Sequence, residues 1–251
     1  MAIKIMNAKT LAQDARIKML VYGDSGVGKT VFSASFPKPF VIASEEGLLS
    51  VAGRDIPYVP IHDWADMESI YLHLLKDESK AKYETVVVDS LTDLQQKCLA
   101  YVLQQSGRPV PEQRDWGQLL DVMRRFLRQM ADLPYHIVFI CLAGTEKDEL
   151  LGMVKERPAI SGRLAVEAPA YVDMVMRLVV EQSKKGGEVI INRYGVFQPD
   201  SRAAAKDRSG KMPTVMKDPD ADKIFGRLTA SGAKSSGTTA HKSRKKRTTK
   251  K

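Results

Sequence analysis

The sequence predicts an α/β fold, a mostly parallel sheet with helices on both faces and a C-terminal antiparallel hairpin extension. Three observations carry this. A Gly-rich turn, Gly23-Asp24-Ser25-Gly26-Val27-Gly28-Lys29-Thr30, follows an apolar run and opens a helix. Apolar runs of strand length alternate with segments of helical spacing, the pattern of buried parallel strands and crossover helices. A β-branched run, Thr85-Val86-Val87-Val88, ends in an acid, Asp89.

The elements follow in order. "IKMLVYG" (17–23) is a buried strand, and the helix opened at Lys29 stops at Pro37. "PFVIAS" (39–44) is a second strand and "IPYVPI" (56–61) a short third. Residues 63–77 have helical spacing, 83–90 form a central strand, and 91–106 a helix. Gly107, Pro109 and Pro111 mark a loop. Residues 116–133 make an amphipathic helix with Leu119, Leu120, Met123, Phe126, Leu127 and Met130 on one side. "HIVFICLAG" (136–144) is another buried strand, and 145–169 reads as a polar loop. Two strands around Lys184-Lys185-Gly186-Gly187 form the hairpin.

Composition sets the limits. The chain has 251 residues, 43% hydrophobic and 27% charged, enough for one α/β core with a small appendage. No apolar run approaches ~20 residues, so no membrane span is expected. The first 18 residues lack the apolar stretch of a secretory leader, and a cytoplasmic location is expected. The two cysteines and four scattered histidines suggest neither a disulfide framework nor a metal cluster. Charge is uneven. Residues 230–251 hold eight of the 39 Lys and Arg and none of the 30 Asp and Glu, which leaves 31 basic against 30 acidic residues in 1–229. The chain therefore divides into an α/β core (1–229) and a basic tail (230–251) too polar to fold. Within the tail, Arg244, Lys245, Lys246 and Arg247 would gather nucleic-acid phosphates.

The octapeptide from Gly23 to Thr30 is a phosphate-binding loop. Gly23, Asp24, Ser25, Gly26, Val27 and Gly28 supply backbone N–H groups that wrap a β-phosphate, Lys29 reaches the β and γ phosphates, and Thr30 ligates Mg²⁺. Asp89 is the second metal-side group. Hydrolysis also needs an acid to orient water. Ser90 follows Asp89, so that acid comes from elsewhere. Glu45 and Glu46 end the neighbouring strand, and extended backbone turns only one of them toward the γ-phosphate; Glu46, beside Gly47, is the candidate. Guanine-reading motifs are missing: Thr145-Glu146-Lys147-Asp148 has the wrong order. The nucleotide is therefore expected to be ATP, with Mg²⁺.

"VVVDS" with a carboxylate before Gly at the next strand end resembles the RecA family of P-loop NTPases. The string as a whole resembles phage-encoded RecA-like ATP-binding proteins, some of them single-strand annealing or recombination proteins. "AAKDRSG" resembles the K-x-R-x-G finger of RecA-like replicative helicases. By that resemblance Lys206 and Arg208 reach a neighbouring subunit's γ-phosphate, in a homo-oligomer, ring or filament, with ATP at subunit interfaces. It also implies single-stranded DNA as a partner, a single-strand-binding protein as a further one, and the host cytoplasm as location. The DNA loops of the RecA fold correspond to 107–117 and 145–163, which nominate Arg108, Arg114, Lys147, Lys155, Arg157 and Arg163 as phosphate contacts. One position departs: the family's Asn-Gln pair at a strand end reads Cys141-Leu142, which leaves Thr145 as the substitute. Two other functions fit the same loop, a helicase-like or helicase-loading ATPase and a P-loop NTPase that does not act on DNA.

Overall fold

The computed structural model describes residues 16–147, 154–186 and 188–230. The first strand, β1 (Lys18–Gly23), is the axis of a ten-stranded sheet. Its side chains alternate between two cores. Leu20 and Tyr22 enter one, Met19 and Val21 the other, and all four are fully buried. Burial on both faces explains why β1 reads as an unbroken apolar run.

Strand order is β10-β8-β7-β1-β5-β4-β2-β3. The parallel part consists of β3 (Tyr58–Pro60), β2 (Pro39–Ala43), β4 (Thr85–Asp89), β5 (His136–Lys147), β1 and β7 (Met174–Lys185). β8 (Glu188–Val196) and β10 (Val215–Lys217) add antiparallel. The predicted fold class holds, hairpin included, and its turn falls at Gly186, where φ is +63°.

Helices cover both faces. The larger core packs α2 (Asp66–Leu75), α4 (Leu91–Ser106) and α5 (Gln113–Asp132) against the sheet. The opposite face carries the short α1 (Lys29–Ser33) and the C-terminal α7 (Ala221–Thr229). Two further helices, α3 (Asp77–Lys82) and α6 (Leu164–Glu167), are short. Ser90 caps α4 by accepting from Asp93 N–H at 3.2 Å, and Asp220 caps α7 by accepting from Lys223 N–H at 2.8 Å. A capping box, Glu112 with Asp115, starts α5 three residues before the predicted Trp116.

The segment expected to be a polar loop is different. β5 continues to Lys147, and β6 (Val154–Pro158) returns antiparallel along it. Cross-strand ion pairing supports this hairpin: Arg157 bonds Glu146 at 2.6 Å. Its polar residues, Thr145 to Lys147 and Lys155 to Arg157, face one another across a ladder rather than marking a loop. The chain then runs through α6 and a 3-10 turn at Ala168–Tyr171 to β7. The buried Tyr22 hydroxyl joins β1 to this layer by donating to the Ala204 carbonyl at 2.6 Å.

Candidate nucleotide-binding site

The loop from Gly23 to Thr30 links β1 to α1 at the C-terminal end of the parallel strands. Gly26 and Gly28 both need left-handed backbone, at φ +79° and +101°. Gly23 needs its missing side chain: a Cβ there would lie 2.3 Å from the Leu178 carbonyl oxygen. The Lys29 ammonium curls into its own loop, donating to the carbonyls of Gly23 at 2.9 Å and Asp24 at 2.7 Å. Burial lowers the Lys29 pKa, and the charges of Asp89 and Glu45 oppose that shift.

Asp89 ends β4 with its side chain nearly buried. Its carboxylate accepts from the Thr30 hydroxyl at 2.7 Å, joining α1 to β4, a strand that β5 separates from β1 in the sheet. Burial raises the Asp89 pKa; the Thr30 bond opposes the shift and the neighbouring Glu45 adds to it. The ends of β2 and β4 are knitted by two serines. Ser44 Oγ donates to the Ser90 carbonyl and accepts from Ser90 N–H, each at 2.8 Å. Ser90 Oγ donates to the Glu45 carboxylate.

That contact distinguishes the two acids. Both are exposed, but Glu45 is hydrogen-bonded to Ser90, next to Asp89, while the expected Glu46 forms no hydrogen bond or ion pair among the described residues. Ser44 N–H donates to the Asp89 carbonyl at 2.8 Å, which keeps the end of β2 against β4 up to the residue before Glu45. The donor set suits Mg²⁺. The Thr30 hydroxyl and the Asp89 carboxylate are hard oxygen ligands, and among the described residues no group of three His, Cys, Asp or Glu forms a closed cage. Such a partial set fits an ion that keeps waters and phosphate oxygens as its other ligands.

Thr145 does not reach this site. It lies on the exposed extension of β5, opposite Glu156, beyond Leu142 where pairing with β1 ends. The polar group at that strand end is Thr92, whose hydroxyl accepts from Leu142 N–H at 3.0 Å. Sequence reasoning passed over it as one more residue in the first turn of a helix.

Lys206 and Arg208 sit on or next to β9 (Lys206–Asp207), which pairs with β7 at Met174 and Val175. Met174 is level with Met19, four residues before Gly23, so this edge lies roughly 13 Å down the sheet from the loop. Neither cation is beside the loop of its own chain. Lys206 is moreover engaged internally, donating to the carbonyls of Pro169 at 2.7 Å and Val172 at 2.8 Å. Arg208 is the more available of the two, with a side chain 57% exposed and one ion pair, to Asp173 at 2.9 Å.

The six nominated DNA contacts divide. Arg108 is a structural residue: it bonds the fully buried Asp115 at 2.7 Å and closes the capping box of α5. Arg157 is committed to Glu146. Arg114, Lys147 and Arg163 are exposed and Lys155 half-buried. The cluster from Arg244 to Arg247, with nearly all of the basic tail, lies outside the described residues.

A P-loop between strand and helix, a hydroxyl paired with a buried aspartate and a second acid at the next strand end together define a P-loop NTPase. Residues 15–209 match the family described as AAA domain, and the chain belongs to that family. A curated relative, the SPbeta prophage-derived uncharacterized protein YorG of Bacillus subtilis (strain 168), is 27% identical over 157 residues. That match takes in 59% of this chain and 48% of YorG, so the chain spans about half the length of this relative. Among solved structures, the flagellar accessory protein FlaH from Methanocaldococcus jannaschii is similar over 72% of this chain and 76% of its own, with TM-score 0.37 and 11% identity. No helix among the described residues is long and apolar enough to cross a membrane.

Proposed function

We propose that this protein hydrolyses ATP with Mg²⁺ and couples hydrolysis to binding single-stranded DNA as an oligomer, in recombination or strand annealing. The observation that carries the hydrolytic half is Glu45, held by Ser90 beside the Thr30–Asp89 pair. When bound, Mg²⁺ would neutralise charge on the β- and γ-phosphates. Thr30 and Asp89 are the residues that would hold it, and Glu45 accepts the proton of the attacking water. On phosphate binding, Lys29 exchanges the Gly23 and Asp24 carbonyls for phosphate oxygens.

The DNA half rests on the sequence: eight cations without an acid in 230–251, attached to a nearly neutral body. The prophage origin of YorG agrees with a phage setting and the host cytoplasm. Oligomerisation rests on Arg208, an exposed guanidinium too far from its own loop to act except on a neighbour.

The test compares phosphate release with and without single-stranded DNA, in the full chain and after removal of 230–251. Stimulation by DNA, with salt-sensitive binding lost on deletion, supports the reading. An ATPase indifferent to DNA favours the NTPase that does not act on DNA. DNA-dependent strand displacement favours the helicase-like one.

A further inference from the structure

The phosphate-binding loop touches a residue that its motif does not contain. Arg193, on β8, donates from Nε to the Val27 carbonyl at 3.1 Å, across 166 positions of sequence. Its guanidinium covers Gly28. A Cβ on that glycine would lie 2.8 Å from Arg193 Nε and 3.7 Å from Cζ. The space beside Gly28 is thus filled by a cation one residue before Lys29. Among the described residues the two terminal amino groups of Arg193 have no hydrogen-bond partner.

The backbone of Arg193 is fixed in place. Its N–H donates to the Asp218 carboxylate at 3.2 Å, and its carbonyl accepts from Asp218 N–H at 2.7 Å. Asp218 adopts φ +45°, unusual for a residue with a Cβ, so this clamp is held against a local cost. Two residues on, Asp220 caps α7, and Ala221 N–H donates to Ser35 Oγ at 3.0 Å, just past the other end of α1. The C-terminal strands and helix therefore grip α1 at both ends.

We propose that Arg193 is a nucleotide-binding residue, supplied in cis by the antiparallel hairpin, which places a second positive charge beside Lys29 on the phosphate chain of the bound nucleotide. Nε is used on the loop, and the two free amino groups form a planar fork suited to phosphate oxygens. The inference rests on the nucleotide-binding reading of the loop and adds the residue that ties its occupancy to the hairpin.

The experiment is titration of Mg-ADP and Mg-ATP into the full chain, wild type beside Arg193→Ala, Arg193→Gln and Arg193→Lys. Gln keeps a donor for the Val27 carbonyl but loses the charge, whereas Lys keeps the charge. Melting temperatures without nucleotide check that each variant folds. The expected result is a loss of affinity on the order of tenfold in Ala, as for one charge-assisted hydrogen bond. Lys should bind at least about threefold tighter than Gln. Affinity in Ala within about twofold of wild type, or Gln binding as tightly as Lys, would overturn the proposal; the second outcome would leave Arg193 a positioning residue for the loop. A wild-type chain that binds neither nucleotide would overturn the nucleotide reading as well, so the two failures are separable in one experiment.

Discussion

The Thr30 hydroxyl donates to the Asp89 carboxylate at 2.7 Å, joining the P-loop helix to the acid-bearing strand, which is not the sheet neighbour of the strand that carries the loop. Burial holds the Asp89 pKa above that of an ordinary aspartate, and only the ionised form can serve Mg²⁺. Mg-nucleotide affinity should therefore weaken on acidification at a higher pH than a solvated aspartate would give. Asp89→Asn should weaken affinity at neutral pH and flatten this dependence. Titrations across the acid range check both, and an unchanged pH profile in the variant would contradict them.

Glu45 and Glu46 are adjacent but not equivalent. Glu45→Gln should lower turnover by ~10²–10⁴-fold while sparing ATP binding, the effect of removing a general base. Glu46→Gln should turn over like the wild type. Steady-state rates with equilibrium binding on both variants test the assignment made from the Ser90 contact.

How much of this was legible in the sequence depends on how local each signal is. Gly23 to Thr30 and Asp89 were readable because the loop chemistry fixes their residue types, and apolar runs mark the strands that carry them. The β5–β6 hairpin was not, since Glu146, Lys155 and Arg157 look like loop residues until cross-strand pairing places them. Alternation along a strand narrows Glu45 and Glu46 to one without saying which; that choice rests on the Ser90–Glu45 hydrogen bond between two different strand ends. The Glu112–Asp115 spacing could have signalled a capping box, and with it a structural role for Arg108. Nothing local marks Arg193, which meets the loop only when β8 folds back along β7, the strand next to β1.

Arg108 should behave as a stability residue. Arg108→Ala leaves the buried Asp115 carboxylate without its cation, so the melting temperature should fall clearly. The salt dependence of DNA binding should stay as in the wild type. Reduced salt dependence with unchanged melting would return Arg108 to the DNA contacts.

His136 should make the fold acid-sensitive. Its Nδ1 accepts from Ile17 N–H at 3.0 Å, and burial is the main cause that lowers its pKa from 6.5 to about 4. The unfolded chain takes up a proton near pH 6.5 and the folded chain only near 4. This contribution is complete above pH 6.5, declines as pH falls through that window and is gone below about 4. Urea midpoints across the window, compared with His136→Gln, should show the extra slope only in the wild type.

The proposed action of Arg208 on a neighbouring subunit makes a distinct prediction. Arg208→Ala should abolish hydrolysis but spare ATP binding. Mixing it with Glu45→Gln should restore part of the activity, because mixed interfaces then pair an intact acid with an intact guanidinium. Lys206→Ala should chiefly lower stability, by releasing the carbonyls of Pro169 and Val172. Failure of mixing to restore any activity would count against the shared site.

The most direct test of the central claim is phosphate release from ATP by the full chain with Mg²⁺, with and without single-stranded DNA, wild type beside Glu45→Gln. The account predicts turnover that rises with DNA in the wild type and stays near zero in the variant, although the variant still binds ATP. Turnover in Glu45→Gln equal to the wild type, or none in the wild type under either condition, would contradict it.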